Sequence, residues 1–203
     1  MKSIELSLND TKEKSIELAK KVEKNFKPDV VVFIATGSYH IGKTISDYFD
    51  IPLVEVFAVR TGNSLKKYMS PLLQLIPKGI KNTLRKAELK SGMHNKDSER
   101  KVFIERDKHI LINAKRILIV DDSVDTGSTA KQVATFVKET VRNAEIKFAS
   151  INIFDESKEV YKVNYFLYEN HIISGPWSKD SKYHKQFLKE YDSYKKAVKS
   201  NES

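Results

Sequence analysis

Two adjacent carboxylates, Asp121 and Asp122, stand at the end of the apolar run ILIV (117–120), and a third, Asp125, opens the stretch DTGST (125–129). Each residue type in this string suits a definite piece of chemistry. Gly127 lets a ligand's oxygen atoms approach the backbone closely, and a helix beginning there offers unpaired N–H groups and the positive end of its dipole. Thr126, Ser128 and Thr129 add hydroxyl donors, so residues 125–129 form a candidate pocket for one phosphate monoester. The string is not a Walker loop, because the Lys that follows glycine there is absent. Asp121 and Asp122 can accept hydrogen bonds from vicinal hydroxyls, or hold a magnesium ion directly or through its water shell. A phosphate pocket beside a reader of diols describes a ribose 5-phosphate. Asp125 lies between the two, where it can accept a proton from, or orient, a nitrogen nucleophile. Asp, Ser and Thr between a strand and a helix also serve simply as N-caps, so the whole string carries the reading and DTGS alone does not.

Those side chains need elements to hold them. The unbroken runs DVVVFI (29–34) and RILIV (116–120) read as strands covered on both faces, and LVEVFAV (53–59), IKFASINIF (146–154) and NYFLY (164–168) as further strands. Helices are expected between them. Apolar Ile16, Ala19, Val22 and Phe26 predict a helix over 10–26 capped by Asn9 or Asp10; KTISDYFD (43–50) and STAKQVATFVKETV (128–141) follow strands; and Tyr183, Phe187, Tyr191, Tyr194 and Val198 share one face of a last helix over 181–198. Strands alternating with helices predict an α/β fold, an open, mostly parallel sheet with helices on both faces. Ligands of such sheets bind beyond the C-terminal strand ends, where the loops after Ile34 and Val120 and the turn at Arg60 fall.

The 203 residues suit a single domain, and the absence of cysteine excludes disulfides, thiolate metal sites and a cysteine nucleophile. No stretch has the roughly 18 apolar residues of a membrane span, and a cytoplasmic location is expected. Lys and Arg total 36 against 27 Asp and Glu, a formal charge of +9 that draws anions to part of the surface. The five histidines show no metal-ligand spacing.

ILIVDDSVDTGST resembles the phosphoribosyl diphosphate (PRPP) signature of the type I phosphoribosyltransferases. The resemblance implies that Asp121 and Asp122 hold the donor's ribose hydroxyls and its Mg2+, that residues 125–129 wrap its 5-phosphate, and that Asp125 assists the incoming base. VVVFIATGSYHIG resembles the family's first loop, in which Thr36, Gly37 and Ser38 would meet the diphosphate through backbone N–H groups, often across a non-proline cis peptide. Arg60, with Lys66 or Lys67, would neutralise the same diphosphate. IISGPW (172–177) resembles the hood of bacterial xanthine–guanine phosphoribosyltransferases, with hood segments expected at about 1–8 and 165–180. A homodimer is expected.

Three positions depart from that subgroup. Thr36 stands where an Arg or Lys is usual, so diphosphate charge must be met elsewhere. FDESK (154–158) places Asp155 and Glu156 where a Lys reads the purine oxygen, with Lys158 as the substitute. The residue stacking on the base is His171 or Ile173, with Trp177 beside it in the hood. Residues 61–112 are expected to form a basic helical insertion, serving as a solvated elaboration or dimer contact, as a lid, or as a nucleic-acid or membrane surface, the last not favoured because its aromatics are few. The expected reaction is transfer of phosphoribosyl from magnesium-bound PRPP to a purine-like base. Its rivals are a regulator that senses PRPP without turning it over, and an enzyme with a non-purine acceptor.

Overall fold

The computed structural model describes residues 2–60 and 100–200. In chain order these form β1 (Lys2–Glu5), α1 (Leu8–Glu23), β2 (Val30–Ile34), α2 (Tyr39–Phe49), β3 (Leu53–Arg60), β4 (Arg100–Phe103), α3 (Lys108–Asn113), β5 (Arg116–Val124), α4 (Ser128–Thr140), β6 (Glu145–Ile153), α5 (Asp155–Lys158), β7 (Tyr165–Glu169), β8 (His171–Ser174) and α6 (His184–Ser200). A six-stranded sheet has the order β4-β3-β2-β5-β6-β7. Its strands run parallel except β4, which pairs antiparallel with β3.

The sheet is α/β and covered on both faces, and alternation along each strand decides which residue meets which layer. Val30, Val32, Ile34, Ile117 and Ile119 pack against Val133, Ala134 and Val137 of α4. Val31, Leu118 and Val120 pack against Leu18, Ala19 and Val22 of α1 and Ile41 and Ile45 of α2. Every residue of β2 is buried, as its unbroken apolar run requires. Gly42 lets α2 lie close on this layer, since a Cβ there would fall 2.7 Å from Phe33 Cβ.

From β2 the chain moves to β3 on one side of the sheet, and from β5 to β6 and β7 on the other. The loops after β2 and β5 therefore splay apart at a shared crevice, the usual ligand position in such sheets.

Several boundaries differ from the sequence reading. Helix α1 starts at Leu8, because Ser7 and Asp10 form a reciprocal capping box: Asp10 N–H donates to Ser7 Oγ at 3.1 Å and Ser7 N–H to Asp10 Oδ2 at 2.9 Å. Strand β5 continues through Asp121 and Asp122 to Val124 instead of stopping before them. β7 belongs to the main sheet; the small second sheet consists of β1 and β8 alone, parallel, with Lys2 opposite His171 and Glu5 opposite Ser174. The end of the basic excursion is not solely helical either. Arg100–Phe103 form β4, fixed on β3 by ladder pairing and by Phe103 stacked on Phe57 at 5.2 Å, and Leu111 of α3 is buried beneath. Residues 61–99 of the expected insertion, Lys66 and Lys67 among them, lie outside the described residues.

Candidate functional site

The first wall of the crevice is the turn after β2. Ala35 N–H donates to Val56 O at 2.8 Å, the Ala35–Thr36 peptide is cis, and Ser38 Oγ donates to Ile34 O at 2.5 Å. A Cβ on Gly37 would sit 3.1 Å from Asp122 Oδ1. The turn is thus brought against Asp122 at Gly37.

The acids themselves are held by sheet and not by loop. Asp121 lies opposite Ser150, and Ser123 opposite Asn152, in the β5–β6 ladder. Successive side chains point to opposite faces, which puts Asp121 on the α4 side with Ile117 and Ile119, and Asp122 on the side of Gly37. Asp122 N–H donates to Asp121 Oδ1 at 3.0 Å. Burial, then the adjacent Asp122, pushes Asp121 well above the usual carboxylate range, and burial pushes Asp122 in the same direction. Two desolvated carboxylates side by side demand a cation or hydroxyl donors.

The second wall is the turn into α4. Its N-cap is Gly127, at φ 78°, where a Cβ would meet Ser157 O at 2.8 Å. Only glycine suits this conformation and this close approach. No side chain caps the helix; Thr126 Oγ1, at 3.5 Å from Ser128 N, sits at the limit of hydrogen bonding. The N-cap alternative raised by the sequence does not hold, and the opening N–H groups of α4 face the exposed stretch Asp125–Thr126. Ser128 Oγ accepts from Gln132 Nε2 at 3.0 Å, and Thr129 lies in the first turn of the same helix.

Asp125 is oriented by residues the sequence reading missed. Ser123 Oγ donates to Asp125 Oδ1 at 2.9 Å and accepts from Asn152 Nδ2 at 3.3 Å, and Asn152 Oδ1 accepts the His171 N–H at 3.1 Å. Asn152 is fully buried. A polar side chain inside an apolar strand was its signal.

Arg60 ends β3, exposed, and its ladder partner is Arg100. Arg100 N–H donates to Gln132 Oε1 at 2.7 Å, one guanidinium nitrogen reaches Ala58 O at 3.5 Å, and its Nε is buried without a partner among the described residues. Burial and then Arg60 lower its pKa, while Asp121 opposes them. The two arginines concentrate positive charge at the edge of the crevice.

The acceptor-side candidates are held by partners of their own, besides the His171 N–H that reaches Asn152. Lys158 donates to Asp155 Oδ1 at 2.7 Å and to the Glu169 carboxylate, and Asp155, held chiefly by Lys158 and then by Asn170, falls to about 2. The His171 ring rests 5.4 Å from that of Tyr168 and Nδ1 lies 2.7 Å from Glu169 O. Ile173 and Trp177 pack on the α1–α2 layer, and the indole overlies Gly175 so closely that a Cβ there would fall 2.4 Å from it.

The model of the phosphoribosyl transferase domain matches residues 6–177. This chain belongs to the phosphoribosyltransferase family. As a phosphoribosyltransferase it is a transferase enzyme, and its fold is that of solved relatives. A purine phosphoribosyltransferase from Pyrococcus horikoshii is similar over 89% of this chain and 97% of its own, at 20% identity and a TM-score of 0.61. The Helicobacter pylori xanthine–guanine–hypoxanthine phosphoribosyltransferase is similar over 90% and 99%, at 18% identity and 0.60. A hypothetical protein from Neisseria gonorrhoeae with bound ppGpp is similar over 95% and 98%, at 14% identity and 0.57. No curated protein matches this phosphoribosyltransferase in sequence. Among its described residues no helix is long and apolar enough to cross a membrane.

Proposed function

We propose that this phosphoribosyltransferase moves the phosphoribosyl group of magnesium-bound PRPP to a nitrogen of a purine-like base and releases diphosphate. The observation that carries this reading is the start of α4 at Gly127, without a side-chain cap, on the strand that carries buried Asp121 and half-buried Asp122, the latter against Gly37. One end suits a 5-phosphate, the middle a ribose diol, the other a diphosphate. The purine-like acceptor is supported by the activities of the Pyrococcus and Helicobacter proteins that share the fold.

The donor set fits Mg2+. Asp121, buried, and Asp122, half-buried, are hard oxygen ligands, and among the described residues no cluster of three or more His, Cys, Asp or Glu could hold an ion alone. That suits an ion whose other ligands are donor oxygens and water. When bound, Mg2+ neutralises the leaving diphosphate.

The reaction breaks the bond from the anomeric carbon to diphosphate oxygen and forms one to the acceptor nitrogen. The α4 N-terminus and the hydroxyls of Thr126, Ser128 and Thr129 anchor the 5-phosphate, and Asp121 and Asp122 fix the ribose hydroxyls. Asp125, oriented by Ser123, accepts the proton that the acceptor nitrogen gives up. Thr36, Gly37 and Ser38 hold the diphosphate through the backbone. Arg60 and Arg100 supply the charge missing at Thr36. His171, Ile173 and Trp177 border the base from the hood, whose β8 is tied to Asp125 through Asn152 and Ser123. The same reading carries a homodimeric, cytoplasmic enzyme, which sedimentation and cell fractionation test.

One observation favours a second acceptor class. Lys158 is already matched by Asp155 and Glu169, so a non-purine base is the alternative. The deciding experiment measures diphosphate release from PRPP and Mg2+ with a panel of purines, pyrimidines and small-metabolite extracts, identifying each product by mass. A base-dependent nucleotide establishes the reaction and names the acceptor. Donor binding without any product refutes it in favour of a sensor.

A further inference from the structure

Gln132 lies in the second turn of α4, four residues after Ser128 and so on the same helix face. Both ends of its side chain are engaged. Oε1 accepts the Arg100 N–H of β4 at 2.7 Å, and Nε2 donates to Ser128 Oγ at 3.0 Å. Val102, two residues along β4, packs on the layer that contains Val133 and Ala134 of α4, so the strand that pins the amide is itself seated against the helix.

The backbone decides the direction of these bonds. A main-chain N–H can only donate, so the carboxamide must turn its oxygen to Arg100 and its nitrogen to Ser128. The amide nitrogen offers hydrogens and no lone pair, so Ser128 Oγ accepts from it and keeps its own hydrogen for another partner. That hydrogen is left for an anion at the start of α4, where Gly127 begins the helix without a side-chain cap.

We propose that Gln132 is a positioning residue for the 5-phosphate subsite: held by the β4 backbone, it fixes Ser128 Oγ as an acceptor and reserves the Ser128 O–H for the phosphate. The inference rests on the PRPP reading above. Without Gln132 the serine hydroxyl could rotate to other partners, and ordering it would then weaken binding. Gln132 touches no ligand, and its influence passes through Ser128. Arg100 thereby serves both ends of the donor, its guanidinium at the diphosphate and its N–H, through Gln132, at the 5-phosphate.

The test is calorimetric titration of the full-length protein with ribose 5-phosphate and with inorganic diphosphate, for wild type, Gln132→Met, Gln132→Glu, Ser128→Ala and the double variant Gln132→Met/Ser128→Ala. Methionine keeps the length and the helix propensity of glutamine but neither hydrogen bond. Glutamate can still accept from Arg100 N–H, but at neutral pH it cannot donate to Ser128. Each single variant should weaken ribose 5-phosphate about three- to tenfold, the scale of one hydrogen bond. The double variant should be no worse than Ser128→Ala. Diphosphate affinity should stay unchanged, because β4 remains fixed on β3 by its ladder and by Phe103 on Phe57. Wild-type ribose 5-phosphate affinity in Gln132→Met or Gln132→Glu, additive losses in the double variant, or a matching loss for diphosphate would each overturn the proposal while leaving the PRPP reading intact. A wild-type protein that does not bind ribose 5-phosphate would overturn both.

Discussion

Replacing Glu55 with Gln should make the protein's stability less dependent on pH in a defined window. Glu55 sits in β3 facing Tyr191, with Lys195 of α6 and Glu105, Arg106 and Asp107 of the β4–α3 connection around it. Burial raises its carboxyl from 4.5 to about 7, against the opposing pull of Tyr191, Lys195 and Arg106. The folded state thus binds a proton more tightly than the unfolded chain does. The stabilisation is fully present below pH 4.5 and is lost as pH rises through about 7. At about 1.4 kcal/mol per pH unit the full conversion is about 3 kcal/mol, and the partial solvent contact that Glu55 retains brings the expected value to about 1–3 kcal/mol. The assay is urea unfolding of wild type and Glu55→Gln at pH 5 and pH 8. Other titrating groups contribute equally to both proteins, so the change in the difference between them isolates Glu55. The variant should gain about 1–3 kcal/mol relative to wild type on going from pH 5 to pH 8. A difference that stays constant with pH would refute the assignment of a buried, proton-binding carboxyl at this position.

Other outcomes can be stated more briefly. Asp125→Asn should lower turnover at least about tenfold with modest change in PRPP affinity, since general-base loss typically costs about a hundredfold or more and the amide can still accept from Ser123; steady-state kinetics beside calorimetry separates the two. Gly127→Ala should destabilise the fold by about 1–3 kcal/mol in chemical melts, because φ is 78° and the new Cβ meets Ser157 O, and should remove ribose 5-phosphate binding. Arg100→Ala should weaken PRPP about tenfold but leave ribose 5-phosphate unaffected, and should make PRPP binding less sensitive to salt.

The parts of this fold that sequence displays are those where one strand or loop dictates its own chemistry. VVVFI and ILIV can be little else than strands covered on two faces, and DDSVDTGST carries the proposed donor site in residue types that occur together for few other reasons. What escaped depended on partners distant along the chain. RKVF reads as charge with two apolar residues, and becomes β4 only because β3 offers an edge and Phe57 a face for Phe103. Arg100 acquired its place in the site the same way. The stripe Phe187, Tyr191 and Tyr194 was visible as one helix face, but nothing local says that it meets Tyr39 and Glu55. Glu55, a lone acid within LVEVFAV, was the hint that the face would carry a polar contact. For Lys158 the sequence exposed the residue but not its neighbour Glu169, which arrives from β7.

The pairing of β1 with β8 has a consequence for how the molecule is made. The ladder partner of Lys2 is His171, so β1 has no partner in its sheet until the chain has been synthesised as far as β8. The five parallel strands, the α1–α2 layer and the α4 layer can condense earlier, each from segments closer in sequence, because contacts that close long loops are entropically the slowest to form. The hood is then the last piece to assemble. Since β8 donates its His171 N–H to Asn152, which bonds Ser123 and through it Asp125, the network at Asp125 is complete only once β8 has docked.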